Sequence, residues 1–363
     1  MARRLETDRI LFGATVVLVV IGTLMVFSAS AVLAQVKFHS SYYFLVRQAI
    51  WAFAGLGAMV FAMNMDYHHL RRPQVVFPLL GLHFMLLVAV LFTAGGHHTH
   101  RWLHFGSVNL QPAELSKLVL IIFLAYFLDL RREAINDWRH TLFPVGLAVG
   151  ATLALVVKEP DFGTSLAIAL VVAAMLFVAG LRLRYFAAGM LAALPVIYLL
   201  VVRVRYRYDR LLAFMDPYAD PLGKGFQVIQ SLIAVGTGGI TGLGLMESKQ
   251  KLFFLPEPQT DFIFAVICEE LGLIGAGAVL ALFGVILWRG LRAALGCKDE
   301  FGRLLAVGIT IMVVGQALVN ISVVLGLLPT KGIPLPLVSY GGSSLLMTLL
   351  ALGILLNISQ HAN

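Results

Sequence analysis

Charge is scarce in this chain. Only 13% of its 363 residues are Asp, Glu, Lys or Arg, against ~25% in a typical soluble domain. That shortage excludes an ordinary water-soluble surface. The 60% share of hydrophobic residues and the mean hydropathy of +0.90 say the same from the other side. Cysteine is nearly missing too. Cys268 and Cys297 stand alone, in different expected helices or helix ends, with no CxxC or Cys/His spacing, so they identify neither a metal site nor a redox compartment. No Walker A pattern and no GxGxxG after a strand occurs. Gly236-Thr237-Gly238-Gly239 and Gly242-Leu243-Gly244 therefore do not read as phosphate loops. Asp161-Phe162-Gly163 lacks any kinase context around it. Domain linkers, low-complexity tracts, internal repeats and barrel-type alternation are also lacking.

What the chain does have is long apolar runs. They predict about ten helices, near 10–34, 43–63, 74–94, 112–129, 141–158, 163–180, 185–202, 261–288, 303–326 and 343–358. Lipid offers no partner for a bare peptide group, so the spanning segments must be helical. The run from Ile10 to Leu33 follows Arg3, Arg4 and Arg9 and imitates a signal peptide. It is too long for an h-region of ~7–15 residues, and reads as a retained first helix. The expectation is a single all-α polytopic membrane domain over residues 1–363.

The net charge of +8 is carried by short breaks between these runs, which suggests topology and not nucleic acid. Arg3, Arg4, Arg9, Arg71, Arg72, Arg131, Arg132, Arg139, Arg182, Arg184, Arg289, Arg292, Lys298 and Arg303 fall on one side. Outside one long loop, the other side holds only Lys37, Arg47, Arg101, Lys158 and Lys331. The positive-inside rule makes the richer side cytoplasmic. Both termini then lie inside. The 95–111 loop, the 327–342 loop and the long 203–260 loop between helices 7 and 8 all face outward, which places the chemistry there. The long loop carries Arg203, Arg205, Arg207 and Arg210, then a Gly-rich apolar stretch, Ser231 to Leu245, too short to span.

Several outer positions are candidates for function, each with a plainer reading beside it. Glu114 and Lys117, three apart, share a helix face and can pair, either structurally or at a polar cavity. Arg101-Trp102 offers an interface anchor or a surface for stacking a sugar. The histidines at 97, 98, 100 and 104 lack a supporting ligand set for zinc and read as a solvated loop. Asp261 begins the eighth helix. Thr260 or Asp261 can cap it, and an ionised carboxylate at that outer mouth also suits a general base. Glu269 and Glu270 point away from Asp261 at 100° per residue and should form no tight dyad with it. Lys331, in a proline-stiffened loop, precedes Ser339-Tyr340-Gly341-Gly342-Ser343-Ser344, whose hydroxyls and backbone suit an anion. The plain alternative there is a helix start.

Together, Gln111-Pro112-Ala113-Glu114, Pro160-Asp161-Phe162-Gly163-Thr164, Thr260-Asp261-Phe262-Ile263-Phe264 and Ser339 to Ser344 resemble, in order and spacing, the SEDS (shape, elongation, division and sporulation) family of peptidoglycan glycosyltransferases. The likeness covers nearly the whole chain. Thr330-Lys331-Gly332 and Asp216 to Pro221 before Gly225 are similar to the cell-division branch more than to the elongation branch. The histidine run has no counterpart in that pattern.

The resemblance implies a multi-pass protein of the bacterial cytoplasmic (inner) membrane, acting at the division septum. It implies polymerisation of lipid II, a polyprenyl-pyrophosphate disaccharide-peptide, by an inverting reaction with Asp261 as the essential carboxylate and general base. Trp102, Glu114 and Lys117 match family positions lining or flanking the cavity, and Arg101, Lys331, Ser339 and Ser343 complete the expected substrate site. The pyrophosphate needs positive charge from Lys331, from the Arg203–Arg210 cluster, or from a divalent cation (Mg or Mn) for which no ligand set can be read. Implied partners are a class B penicillin-binding protein transpeptidase and other division-complex membrane proteins. A lipid II flippase and a non-catalytic division scaffold are the alternatives.

Overall fold

In the computed structural model, residues 7–93, 101–105, 108–252 and 254–361 are described. The histidines at 97, 98 and 100 lie outside them. Twelve α-helices follow one another among the described residues: α1 (Arg9–Phe38), α2 (Tyr43–Met63), α3 (Pro73–Leu91), α4 (Pro112–Leu130), α5 (Phe143–Lys158), α6 (Phe162–Val178), α7 (Leu183–Val202), α8 (Arg205–Met215), α9 (Phe226–Thr237), α10 (Ile263–Gly296), α11 (Glu300–Val324) and α12 (Gly342–His361). Each of the ten expected helices has its counterpart, in α1–α7 and α10–α12.

Eight helical segments are long and apolar enough to cross a membrane: α1, α2, α3, α5 with the turn before it, α7, α10, α11 and α12. The other two expected spans fall short for visible reasons. α4 carries Glu114, Lys117 and Asp129, and α6 has 17 residues. Both pack against α11 inside the bundle. α11 is buried on nearly every side, whereas α7 has no buried residue. Apolar side chains exposed along α7, such as Leu191 and Tyr198, would meet lipid.

Hydrogen bonds assign the helix ends. At one end Arg289 Nε donates to Asp8 Oδ2 (2.5 Å), Gln360 Nε2 donates to Thr7 Oγ1 (3.0 Å), and Arg71 pairs with Asp129 (2.7 Å). This is the arginine-rich end of the sequence. At the far end Gln111 Nε2 donates to Asp161 Oδ2 (2.8 Å), Gln48 to the Ser339 carbonyl (3.4 Å), and Asn320 Nδ2 to the Asp261 carbonyl (2.8 Å). The alternation expected from the charge bias is therefore met by contacts that had no part in deriving it.

Three features of the far end differ from the sequence expectation. The 95–111 loop, read as solvated, contains an antiparallel hairpin of β1 (Leu103–Phe105) and β2 (Val108–Leu110). The 203–260 loop is built around α8 and α9. The 327–342 segment dips into the bundle. Leu335, Leu337 and Val338 are fully buried, and the Val338 backbone lies so close to Gly22 of α1 that a Cβ there would sit 2.5 Å from its Cα. Such irregular backbone is tolerated at depth only when its polar groups find protein partners. Gln316 Nε2 donates to the Pro334 carbonyl (2.9 Å), and Asn320 Nδ2 to the Ile333 carbonyl (2.7 Å).

The fourth difference is in α10, expected as 261–288. It is longer, and it breaks at Gly272 (φ 63°, ψ −162°), a conformation that favours glycine. The break frees backbone groups, and segment 239–244 takes them up. Leu243 N and Gly244 N donate to the carbonyls of Glu269 and Glu270, both at 3.0 Å. Leu273 N and Ile274 N donate to those of Gly239 and Ile240 (3.0 and 3.2 Å). Gly242 sits in this splice with φ 83°, where a Cβ would lie 2.1 Å from the Glu270 carbonyl oxygen. Gly242→Ala is expected to cost at least ~1–3 kcal/mol, seen as a lower unfolding midpoint in detergent. An unchanged midpoint would show that the splice does not hold the break.

Candidate active site

The short first part of α10 hangs between two anchored ends. At its inner end, Glu269 accepts from Lys249 N (3.0 Å) and the Ser248 hydroxyl (2.5 Å). Glu270 accepts from Ser28 (2.7 Å) and Lys251 Nζ (2.9 Å). These two carboxylates are committed to the loop and to α1, and form no dyad with Asp261. At the other end, Ser339 Oγ donates to the Thr260 carbonyl (2.6 Å) and accepts from Leu335 N (2.8 Å), while Asn320 holds the Asp261 carbonyl. The backbone around Asp261 is thus fixed from α11 and from the buried loop.

The Asp261 carboxylate itself caps nothing. The N-cap residue of α10 is Phe262, without a side-chain cap bond. Among the described residues no donor bonds either Asp261 side-chain oxygen. By contrast Asp161, at the start of α6, accepts from Thr164 N (3.0 Å), Thr164 Oγ1 (2.8 Å) and Gln111. Burial pushes the Asp261 carboxyl up to about 6. Nearby Arg210 opposes that rise, and Glu257 and Asp161 add to it. The group is still mostly ionised at neutral pH, as expected from its position, but it is a far better proton acceptor than an ordinary aspartate.

Gly332 abuts the carboxylate; a Cβ on it would lie 3.2 Å from Asp261 Oδ2. Its neighbour Lys331 lies with Nζ 4.8 Å from the centre of the Phe162 ring, and the Arg207 guanidinium stands 5.1 Å from the same ring. Arg210 Nη1 donates to the Thr330 carbonyl (3.1 Å). Of the arginine cluster, Arg207 and Arg210 thus come to the site. Burial lowers the affinity of Lys331, Arg207 and Arg210 for their protons.

Glu114 and Lys117 pair at 2.9 Å, both buried. Lys117 also donates to Gln316 Oε1 (2.7 Å), and so reaches the Pro334 carbonyl of the buried loop. Arg101 donates from Nε to the Glu159 carbonyl (3.0 Å) and from Nη2 to that of Pro160, which closes the end of α5. Trp102 is about one-third exposed. Ser343 is buried in the first turn of α12, and the Ser339 hydroxyl is spent inside the protein. The structure thus gathers Asp261, Lys331 and the Glu114–Lys117 pair around one loop, and gives Ser339 an internal, positioning contact.

Two groups were missed from sequence. Gln316 and Asn320 lie one turn apart on α11 and hold the loop; their signal was two amides in an otherwise apolar run. Glu159 is fully buried, with neither carboxylate oxygen hydrogen-bonded among the described residues, and burial beside Asp161 pushes it up to about 8. Among the described residues no set of three or more His, Cys, Asp or Glu side chains is placed to hold a metal.

These features define an all-helical, multi-pass membrane protein with a polar site at one end of its bundle. The chain belongs to the FtsW/RodA/SpoVE family, described as cell cycle proteins, whose sequence model matches residues 8–363. It is 47% identical over 356 residues to a probable peptidoglycan glycosyltransferase FtsW of Geobacter metallireducens, covering 98% of this chain and 95% of that one. It is 44% identical over 363 residues to the stage V sporulation protein E of Bacillus subtilis, covering 99% of each. Among solved structures, it superposes with a TM-score of 0.80 (32% identity, 98% of both chains) on a chain from work on the structural coordination of polymerization and crosslinking by a peptidoglycan synthase complex. With the rod shape determining protein RodA of Thermus thermophilus the TM-score is 0.72, at 28% identity over 98% of this chain and 97% of that one.

Proposed function

We propose that this protein is a peptidoglycan glycosyltransferase that polymerises lipid II at the outer face of the cytoplasmic membrane during cell division, as one polytopic domain of ten spans. The observation that carries the reading is Asp261. It is an ionised, half-buried carboxylate that caps no helix and has its backbone pinned from two sides. The names of the family's relatives supply the reaction class, and the charge bias puts the site outside.

In the reaction, Asp261 takes the proton of the acceptor sugar's 4-hydroxyl as that oxygen attacks the anomeric carbon of the donor. The new glycosidic bond forms as the bond to the diphosphate breaks, so the configuration inverts from α to β. The polyprenyl diphosphate leaves with the electron pair, and Lys331 and Arg210 stabilise the charge that builds on it. Glu114, Lys117, Gln316 and Asn320 hold the loop that presents Lys331. The likeness to a chain from a peptidoglycan synthase complex supports a class B penicillin-binding protein as the working partner.

The test is polymer formation from purified lipid II by the chain with such a transpeptidase whose own active site is disabled. Polymer confirms the enzyme; transfer of lipid II across vesicles without polymer would favour a flippase, and binding alone a scaffold. The same assay gives a pH prediction. A base must be deprotonated to act, so kcat/KM should rise through about pH 6 and level off above it. A flat profile across that range would remove Asp261 from the role.

A further inference from the structure

A cavity of about 210 Å³ opens between α1 and the turn 246–252, lined by Ser28 and Ala31 on one side and by Glu247, Ser248, Lys249 and Lys251 on the other. The proposed reaction uses none of these side chains. Ser28 lies 19 residues beyond Arg9 on α1, about 28 Å along the helix. With Arg9 at the inner surface, the cavity stands at the outer edge of a hydrocarbon layer ~30 Å thick. The face of α1 that carries Ser28 and Ala31 continues inward through Leu24, Val20 and Val17, all exposed. Leu245, Met246 and Leu252 add an exposed apolar rim. A lipid whose chains lie along that stripe brings its head group to the cavity.

Charge and size select the head group. At the mouth, Glu247 and Lys249 are exposed and, among the described residues, their side chains make no hydrogen bond or ion pair. Met246 before them takes a left-handed φ of 71°, which an ordinary side chain avoids, and such strain gathers at binding sites. Two free charges of opposite sign on one wall suit a ligand that carries both. Behind the turn, the buried carboxylates of Glu269 and Glu270 outnumber the buried ammonium of Lys251, so the local field favours a cationic arm over a neutral one. Among the described residues no aromatic ring lines the cavity. A quaternary ammonium lacks its usual cage there, whereas a primary ammonium can donate to Glu247. At ~30 Å³ per water, the space equals about seven waters, enough for a phosphate with a two-carbon amine and far too little for a disaccharide-peptide. The geometry points to a seat for the head group of an outer-leaflet phosphatidylethanolamine, its phosphate on Lys249 and its ammonium on Glu247. The seat does not depend on the glycosyltransferase reading. Ser248 Oγ (2.5 Å) and Lys249 N (3.0 Å) also donate to Glu269, so an occupant braces the turn that anchors the first part of α10.

The test is native mass spectrometry of the full chain in detergent, titrated with phosphatidylethanolamine, phosphatidylcholine or phosphatidylglycerol of identical acyl chains. The expected result is one tightly held phosphatidylethanolamine, with the other two lipids held more weakly. Glu247→Gln and Lys249→Gln should each weaken it roughly 10-fold. Glu247→Lys should reverse the preference towards phosphatidylglycerol. Both side chains are exposed and free of internal bonds, so these variants should unfold at the wild-type midpoint without added lipid. Phosphatidylethanolamine should then raise the midpoint of the wild type and not that of Lys249→Gln. Wild type that holds phosphatidylglycerol as tightly as phosphatidylethanolamine would overturn the assignment. So would phosphatidylethanolamine bound equally by wild type and all three variants, or a midpoint raised equally in wild type and Lys249→Gln.

Discussion

Asp261→Asn is expected to abolish lipid II polymerisation while leaving the protein at least as stable as the wild type. Asparagine keeps the shape of the side chain and removes the proton acceptor. Loss of a positioned general base costs ~10²–10⁴-fold in rate, which takes polymer below detection in a gel assay. The stability half follows from linkage. Burial raises this carboxyl from its ordinary 3.8 to about 6, so folding favours the protonated form. The stability contributed by that preference is complete below the unfolded value and is lost as pH rises through about 6. At neutral pH the folded protein therefore holds Asp261 charged at a cost on the order of 3 kcal/mol, which asparagine does not bear. No cap bond is lost either, because the wild-type carboxylate makes none. Polymerisation by this variant at the wild-type rate would end the assignment. A markedly lower unfolding midpoint would mean that the carboxylate is structural and that any lost activity is a folding defect.

Much of this architecture could be read along the chain because lipid imposes strong local rules. The ten expected helices have counterparts in α1–α7 and α10–α12, eight of them long and apolar enough to span, and the arginine bias anticipated which ends meet. What could not be read depends on contacts between distant segments. The break at Gly272 is intelligible only once Leu243 and Gly244 are seen to take the carbonyls it frees. The buried course of 333–338 needs the amides of Gln316 and Asn320, and those gave only a weak signal in an apolar helix. At the site, helix position singled out Asp261, and of its two readings, cap and base, the structure removes the first, because no cap bond is made. Glu114 and Lys117 pair as their spacing suggested, whereas the link from Lys117 to Gln316 had no local trace. Ser339 was expected at the substrate site because hydroxyls suit anions; its bonds to the Thr260 carbonyl and Leu335 N had no local trace in the sequence. Arg207, Phe162 and Lys331 are 45 and 124 positions apart in sequence, and no spacing rule joins them.

The Glu114–Lys117 pair gives the second large effect. The two side chains are 3% and 5% exposed and 2.9 Å apart within α4. The contact carries charge compensation, while the hydrogen bond of Lys117 goes to Gln316. Lys117→Met should therefore do two things. It leaves Glu114 as an unpaired charge in a low-dielectric interior, which destabilises by ~3–5 kcal/mol. It also frees Gln316, and with it the Pro334 carbonyl, so the loop that sets Lys331 and Gly332 beside Asp261 loses a support. Adding Glu114→Gln removes the stranded charge without rebuilding the link to α11. The double variant should then recover most of the lost stability, since replacing a whole buried pair is often close to neutral, yet remain well below wild type in polymerisation. Thermal unfolding in detergent and the polymer assay, run on the two variants side by side, separate the roles. A single variant as stable as wild type would show that the pair is solvated. A double variant with full activity would show that Lys117 compensates charge and supports nothing beyond it.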